Sequence, residues 1–254
     1  MRGEETYSYQ DIPPILPPTH LPSCPTDCLP PIKGFLETSF VDWPGKLCAM
    51  IFVGGCNFRC PFCHNHPLVL TPKEMDSISF AEIQTRLTTR RKWLDGVCIS
   101  GGEPTISPGL PAMIARLKAE GWAIKLDTNG SRPEVLAGLL KEGLLDMVAM
   151  DVKAPLVQKK YEACTGCQVE LDKIRQSIEL LKNSKIDHQF RITVLPRLHS
   201  EDDIRAWVEQ LAGENSRLKI QNFNPRTTMD SLYEKESGFA PEIFSRLADM
   251  AATG

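Results

Sequence analysis

CNFRCPFC, residues 56–63, places three cysteines in a CxxxCxxC spacing, with an aromatic residue directly before the last one. The spacing puts three thiolates on one short loop and supplies no fourth. Iron–sulfur clusters are usually held by four cysteine thiolates, so three would leave one iron of a four-iron cluster open to an outside chelator. We therefore predict a catalytic [4Fe-4S] cluster on Cys56, Cys60 and Cys63. The alternatives are a zinc site with a remote fourth ligand and a loop of buried thiols.

The length and charge of the chain limit the classes of protein it can belong to. With 254 residues it can bury one full-sized core. A net charge of -3 argues against a nucleic-acid binder, which normally carries a basic surplus. Neither a signal peptide nor an apolar run long enough to span a bilayer is recognisable. Nine cysteines without an export signal are typical of a reducing compartment, so we expect a cytoplasmic protein that binds neither nucleic acid nor membranes.

Prolines crowd the N-terminal part of the chain, with eight of them between Ile12 and Pro31. Proline fixes φ and removes a backbone donor, so this stretch favours an extended arm over a helix or a strand. We predict a Pro-rich N-terminal extension over residues 1–31 and a single folded domain over residues 32–254.

Strand-like and helix-like segments then alternate six times. The predicted strands are Lys46–Val53, Gly96–Ser100, Trp122–Asp127, Leu145–Asp151, His188–Leu195 and Leu218–Phe223. The predicted helices are Phe80–Lys92, Pro108–Glu120, Pro133–Glu142, Leu171–Lys182, one that begins near Ser200, and Pro241–Met250. This alternation indicates an α/β fold with a parallel sheet and right-handed crossovers. Six units are too few for a closed eight-stranded barrel, so we expect a partial (β/α)6 TIM-like barrel.

Polar motifs follow the predicted strands, where the reactive groups of such folds lie. They are GGEPT at residues 101–105, DTNG at 127–130, DVK at 151–153 and QNFNP at 221–225. Arg191 is a charge in an otherwise apolar strand and needs a partner. Taken singly, these motifs are also compatible with glycine turns, a solvated Glu103 and a simple Asp151–Lys153 ion pair. Their recurrence at successive strand ends favours a shared binding site.

Together these motifs resemble the radical S-adenosylmethionine superfamily. Within it the chain is most similar to activating enzymes of glycyl-radical proteins, in particular those of anaerobic ribonucleoside-triphosphate reductases. The resemblance covers roughly Lys33 to Pro225. It is carried by the stretch Gly34–Leu70, with its DWPG at residues 42–45, its three cysteines and His64-Asn65, and by the motifs at 101–105, 127–130 and 151–153. The Pro-rich extension has no counterpart in the family pattern.

The resemblance implies an oxidoreductase in which Cys56, Cys60 and Cys63 hold the cluster and S-adenosylmethionine chelates the open iron. Reductive cleavage would give a 5′-deoxyadenosyl radical that takes a hydrogen atom from a glycine of a partner reductase. A flavodoxin- or ferredoxin-type protein would supply the electron. The three cysteines and Lys153 are the implied catalytic residues.

The resemblance also implies which residues bind the S-adenosylmethionine. Gly101, Gly102 and Glu103 would face the methionyl amine. Lys153 would meet the carboxylate, and Phe62 would stack near the adenine. The other implied contacts are Asp127, Thr128 and Asp151, which would line the pocket around a cation, and Arg191.

Four further cysteines form two close pairs, Cys24 with Cys28 and Cys164 with Cys167. They are candidates for a second, structural metal site that ties the extension to the domain. Against this, Tyr161 and the Thr-Gly pair at 165–166 match a pattern of the family, so the second pair can simply flank that pattern.

Three other functions compete with this interpretation. Activases of the pyruvate formate-lyase type are poorly separated from it by sequence. The 7-carboxy-7-deazaguanine synthases share the early motif, but they tend to place Asp-Thr after the last cysteine, where this chain has His64-Asn65. A non-enzymatic zinc-binding adaptor would leave the motifs at the strand ends without a role.

Overall fold

The computed structural model describes residues 29–213 and 216–253. The strands of this part are β1 (Ile32–Ser39), β2 (Cys48–Val53), β3 (Gly96–Gly101), β4 (Ala123–Thr128), β5 (Met147–Asp151), β6 (Asp187–Val194) and β7 (Arg217–Asn222). Its α-helices are α1 (His66–Leu70), α2 (Phe80–Thr89), α3 (Leu110–Ala119), α4 (Pro133–Lys141), α5 (Gln158–Thr165), α6 (Leu171–Lys182), α7 (Glu201–Leu211) and α8 (Pro241–Thr253). Most of the predicted extension, including Cys24 and Cys28, lies outside the described residues.

The strands form one sheet in chain order from β1 to β7, and β2 to β7 run parallel. This confirms the prediction of six parallel strands joined by helices. Within the described part of the chain β1 and β7 are the two edges of the sheet, so the barrel is open. An open α/β sheet directs the carboxyl ends of its parallel strands to one edge, which is where the predicted motifs lie.

The first strand was not predicted. β1 pairs antiparallel with β2, with Ile32 opposite Val53 and Ser39 opposite Cys48. Most of its residues are only half-buried, and its register shifts twice along the pair. An edge strand of this kind lacks the continuous apolar run or the strict alternation that reveals a strand in a sequence.

The two faces of the sheet have different surroundings. One face carries residues such as Ile51, Ile99 and Leu126 into the main core beneath the helices. The opposite face carries a smaller cluster, which consists of Trp43, Cys48, Met50, Cys98 and Met147. Because side chains alternate along a strand, the residues that follow on this second face are the polar ones near the carboxyl ends of β4, β5 and β6.

Most helices begin and end close to their predicted bounds. α6 spans Leu171–Lys182 as predicted and buries Ile174, Ile178 and Leu181. α7 is capped by Ser200, whose hydroxyl accepts from the Asp203 amide while the Asp203 carboxylate accepts from the Ser200 amide. Two short helices, α1 and α5, were not predicted. Across the residues described, none of the helices has the length and apolar character needed to traverse a bilayer.

Candidate active site

A cavity of about 210 Å³ lies at the carboxyl edge of the sheet. Its walls are formed by Cys56, Phe58, Cys60, Cys63, Asn65, Val69, Ser100, Gly101, Gly102, Glu103, Asp127, Thr128, Asn129, Asp151, Lys153 and Arg191. Every residue that the sequence predicted for the site lines this cavity, except Phe62 and the two outlying cysteine pairs. The motifs that follow successive strands therefore meet in one place.

The cysteine loop leaves the end of β2 and forms one wall of the cavity. Within it the Cys63 amide donates to the Cys60 carbonyl at 3.0 Å, and the Phe58 amide donates to the Cys56 sulfur at 3.3 Å. Burial raises the pKa of Cys56 to about 11 and that of Cys60 to about 12, and it raises the pKa of Cys63 as well. The free thiols are therefore neutral at physiological pH, and binding iron must release their protons.

The donor set of this loop fits an iron–sulfur cluster. Three thiols of one loop face the same cavity, and thiolates are the ligands that such clusters use. Across residues 29–213 and 216–253, no three His, Cys, Asp or Glu side chains are arranged to hold a single metal ion, which gives no support to the zinc alternative. In a four-iron cluster each thiolate binds a different iron, so the sulfurs need not converge on one point.

Gly101, the last residue of β3, and Gly102 let that strand end lie directly against the start of the cysteine loop. A Cβ on Gly101, whose φ is +125°, would lie 2.3 Å from the Val53 carbonyl oxygen. A Cβ on Gly102 would lie 1.9 Å from the carbonyl oxygen of Gly55. These two glycines thus permit a close approach between two segments of protein backbone. Any contact with a ligand comes in addition.

Glu103 is fully buried, which excludes the solvated glutamate considered from the sequence. Its Oε1 accepts from the Thr105 amide at 3.0 Å, from the Thr105 hydroxyl, and from the Thr128 hydroxyl at 2.7 Å. Its Oε2 accepts from the Asn129 amide at 2.6 Å. Burial raises the pKa of Glu103 although these hydrogen bonds oppose the shift. Glu103 therefore ties the end of β3 to the end of β4 beneath the cavity.

Charged side chains on β4, on β6, and at and just after the end of β5 alternate in sign beneath the cavity. Lys125 pairs with Asp127, and Arg191 Nη1 lies 3.3 Å from the other oxygen of Asp127. Arg191 Nε donates to Asp151 Oδ1 at 2.8 Å, and Lys153 Nζ donates to Asp151 Oδ2 at 3.1 Å. This charge network has three cations and two anions. Arg191, which was predicted to need a charged partner, thus has two carboxylate partners. The predicted Asp151–Lys153 pair forms as well.

The network keeps its members charged. Burial would raise the pKa of Asp151, but the neighbouring Arg191 and Lys153 outweigh it and hold that pKa well below its ordinary value. Burial would lower the pKa of Lys153, but Asp151 raises it above its ordinary value. The guanidinium of Arg191 stands between Asp127 and Asp151, the place where the family resemblance implied a cation.

Some residues of the site were missed by the sequence analysis. Asn57 accepts from the Asn129 amide group at 3.0 Å and donates to the Ser131 hydroxyl at 2.8 Å, which links the cysteine loop to the end of β4. Lys125 is completely buried. Its position two residues before Asp127 puts both side chains on the same face of β4, and this spacing could have revealed it.

Phe62 lies outside the cavity wall. Its ring is buried and meets Phe223 edge-on, with the ring centroids 6.5 Å apart, while His64 stacks on Phe223 at 5.6 Å. The QNFNP motif, which contains Phe223, thus packs against the cysteine loop. Stacking of Phe62 near an adenine stays a prediction.

The two described cysteines of the proposed second metal site contact different partners. Cys164 Sγ lies 3.4 Å from His199 Nε2, whereas Cys167 Sγ lies 3.6 Å from the Asn57 carbonyl oxygen. Cys24 and Cys28 lie outside the described residues, so the four-cysteine site stays a prediction.

Comparisons with known proteins match this arrangement. The model of the radical SAM superfamily matches residues 50–211. A protein of Methanocaldococcus jannaschii, provisionally named a glycyl-radical enzyme activating enzyme, is 33% identical over 80% of this chain and 84% of its own length. A provisionally named GTP 3′,8-cyclase of Pyrococcus horikoshii is 31% identical over 71% of this chain, which spans only 57% of that relative.

A solved structure shares the fold. The crystal structure of Streptococcus suis SuiB bound to S-adenosylmethionine superposes with a TM-score of 0.59 over 78% of this chain and 44% of SuiB. The two sequences are 18% identical, so the likeness concerns the architecture alone.

Proposed function

The chain belongs to the radical S-adenosylmethionine superfamily, and we propose that it generates a glycyl radical on an anaerobic ribonucleoside-triphosphate reductase. Enzymes of this family use a [4Fe-4S] cluster and S-adenosylmethionine, and the chain is an oxidoreductase of this type. The activase role is supported by the relative of Methanocaldococcus jannaschii and its provisional name. The choice of the reductase as substrate rests on the sequence resemblance.

One observation carries the proposal: a single cavity joins the three-cysteine loop to the charge network. Cys56, Cys60 and Cys63 would hold the cluster from one wall. The charge network beneath the cavity has one cation more than it has anions. Lys153, which follows β5, is the most exposed of its three cations, and this suits the carboxylate of an amino acid. Among the described residues Glu103 Oε2 accepts one hydrogen bond, so it retains capacity to accept from an ammonium group.

When bound, the reduced cluster would supply one electron, and S-adenosylmethionine would give methionine and a carbon radical. The residues of the chain bind and orient. Asp151 and Arg191 fix the Lys153 ammonium, while Glu103 fixes the ends of β3 and β4 against each other. Gly101 and Gly102 hold the cysteine loop close to these strand ends. A flavodoxin- or ferredoxin-type donor would deliver the electron.

Electron paramagnetic resonance tests this function. The anaerobically reconstituted, reduced protein is mixed with S-adenosylmethionine and the anaerobic reductase of the same organism. We expect a glycine-centred doublet on the reductase, which disappears when Cys60→Ala replaces the wild-type activase. A cluster signal that responds to S-adenosylmethionine without a doublet would exclude this reductase as the substrate.

A nucleotide substrate is the second candidate, because the relative of Pyrococcus horikoshii is provisionally named a GTP 3′,8-cyclase. The same reconstituted protein is incubated with GTP and S-adenosylmethionine, and the nucleotides are separated by chromatography. Conversion of GTP in the absence of the reductase would favour this candidate. Unchanged GTP beside a reductase doublet would favour the activase.

A further inference from the structure

Helix α5 contacts two segments that line the cavity, namely the segment at Lys153 and the cysteine loop. It lies between β5 and α6, and its inward side consists of Tyr161, Cys164 and Thr165, all of which are fully buried. None of these side chains lines the cavity. Their partners do belong to the site, because one end of the helix meets the backbone of Lys153 and the other end meets the cysteine loop.

The backbone of Lys153 is held from two sides. Its amide donates to the Tyr161 hydroxyl at 3.3 Å, and its carbonyl accepts from His199 Nε2 at 3.0 Å. The Leu195 amide donates to His199 Nδ1 at 3.3 Å, so the neutral ring carries its proton on Nε2 and donates it to the Lys153 carbonyl. Lys153 therefore leaves β5 in one fixed direction, with its ammonium toward Asp151.

The C-terminal end of α5 holds the cysteine loop. The Arg59 amide donates to the Thr165 carbonyl at 2.8 Å. Gly166 ends the helix with φ +65°, and a Cβ at this position would lie 2.2 Å from the Arg59 carbonyl oxygen. The Thr165 hydroxyl also donates to the Tyr161 carbonyl at 2.9 Å. Tyr161, which contacts Lys153, and Thr165, which contacts the cysteine loop, are thus one helical turn apart on α5.

We propose that α5 sets the spacing between the cluster-binding loop and Lys153, with Tyr161 and Gly166 as positioning residues. This inference rests on the proposed function, in which Lys153 meets the carboxylate of S-adenosylmethionine while the loop holds the cluster. A ligand bound to both must span a fixed distance, and small misplacements of binding groups weaken such two-point binding.

Two variants of the reconstituted full-length protein test the two contacts separately. Tyr161→Phe removes one hydroxyl and keeps the ring. We expect normal iron content and an S-adenosylmethionine dissociation constant raised roughly 2- to 10-fold, the effect of one lost hydrogen bond. Gly166→Ala pushes a methyl group against Arg59. We expect a lower iron content and an altered resonance spectrum of the reduced cluster even before S-adenosylmethionine is added.

Each variant has a matched control. Tyr233→Phe removes the hydroxyl of another buried tyrosine, whose ring lies beside Arg197. Gly143→Ala replaces a glycine that has a similar φ of +63°, and no atom of the described residues lies within 4 Å of the added carbon. Both controls should keep the iron content and the S-adenosylmethionine affinity of the wild type.

Hydrogen exchange measured by mass spectrometry provides a readout that needs no S-adenosylmethionine. We expect faster exchange in peptides covering residues 150–155 for Tyr161→Phe and in peptides covering residues 56–63 for Gly166→Ala. Variants that match their controls in exchange, iron content and affinity would overturn the inference. If the wild type forms a cluster and fails to bind S-adenosylmethionine, the proposed function falls, while exchange still decides whether α5 positions the two segments.

Discussion

Arg191 Nε lies 2.8 Å from Asp151 Oδ1, so β6 delivers a guanidinium to the carboxylate at the end of β5. The same guanidinium reaches Asp127 at the end of β4, 3.3 Å away. A planar group with several donors can bridge two carboxylates in this way, whereas an ammonium acts as a point charge. Arg191 thereby joins three neighbouring strands beneath the cavity.

Replacing this bridge should destabilise the fold. Arg191→Ala leaves Asp127 and Asp151 without their shared partner, and removing one member of a buried ion pair costs about 3 kcal/mol or more. Urea unfolding of the variant and the wild type measures the difference. Arg217→Ala is the control, because its pair with Asp187 at 3.4 Å is largely exposed and should cost less than about 1 kcal/mol. Equal costs for the two variants would contradict the role of Arg191.

Replacing the ammonium of Lys153 should affect the ligand more than the fold. Lys153→Met keeps the length of the side chain and leaves Asp151 paired with Arg191. Loss of a charged hydrogen bond of about 1.5–3 kcal/mol should weaken S-adenosylmethionine binding about 10- to 100-fold at unchanged iron content. Equilibrium dialysis measures the affinity. Lys160→Met, which removes an exposed lysine that pairs with Asp203, should bind S-adenosylmethionine as the wild type does. A Lys153 variant with wild-type affinity would show that Lys153 does not bind the ligand.

Adding a methyl group at Gly102 should displace the cysteine loop. The new carbon would lie 1.9 Å from the Gly55 carbonyl oxygen, so backbone must move. We expect Gly102→Ala to lose iron on reconstitution and to unfold with a penalty of about 1–3 kcal/mol. Iron assays and urea unfolding test both effects. At Gly213 the closest contact of an added carbon with the described residues beyond its chain neighbours is 3.4 Å, to the Ser216 hydroxyl, so Gly213→Ala should change neither property appreciably.

A buried histidine should make the fold sensitive to mild acid. His188 is buried, its Nδ1 donates to the Ile186 carbonyl at 3.3 Å, and its Nε2 has no partner among the described residues. Burial lowers the pKa of His188 below its ordinary value of 6.5. The unfolded chain therefore binds more protons than the folded one as the pH drops below about 6.5, and the free energy of unfolding falls with it.

Urea unfolding at pH 7.5 and about pH 5.5 measures this effect. His188→Leu should reduce the loss of stability between the two conditions. Part of the loss should remain, because burial also lowers the pKa of His199. His66→Gln, at a position outside the core, should keep the full loss. A His188 variant with an undiminished loss would show that this residue binds protons equally in the folded and the unfolded chain.

The sequence predicted those parts of the fold in which a local pattern and the tertiary environment agree. α6 was predicted to the residue because Ile174, Ile178 and Leu181 recur at helical spacing and are all buried. β1 was not predicted because it is a half-buried edge strand. α5 was not predicted because its eight residues are mostly polar and only three of them are buried.

The same distinction between local sequence patterns and tertiary contacts applies to the candidate site. Residues 101–105, 127–130 and 151–153 could be assigned to one edge of the sheet because parallel strands bring their carboxyl ends together, which makes sequence position a guide to spatial position. The roles of Tyr161 and His199 could not be found in this way, because they act on the backbone of Lys153 from a separate helix and from the segment before α7. Phe62 shows the opposite case, in which a motif residue faces the core.

The antiparallel first strand has a consequence for how the molecule opens. With β1 on one side and β3 on the other, β2 is an interior strand, although it is the first of the parallel series. Local unfolding of a sheet begins where strands have one neighbour, and fluctuations of that kind involve β1 or β7 first. The root of the cysteine loop therefore lies on a strand that opens after β1, and fraying of β1 alone leaves this root paired with β3.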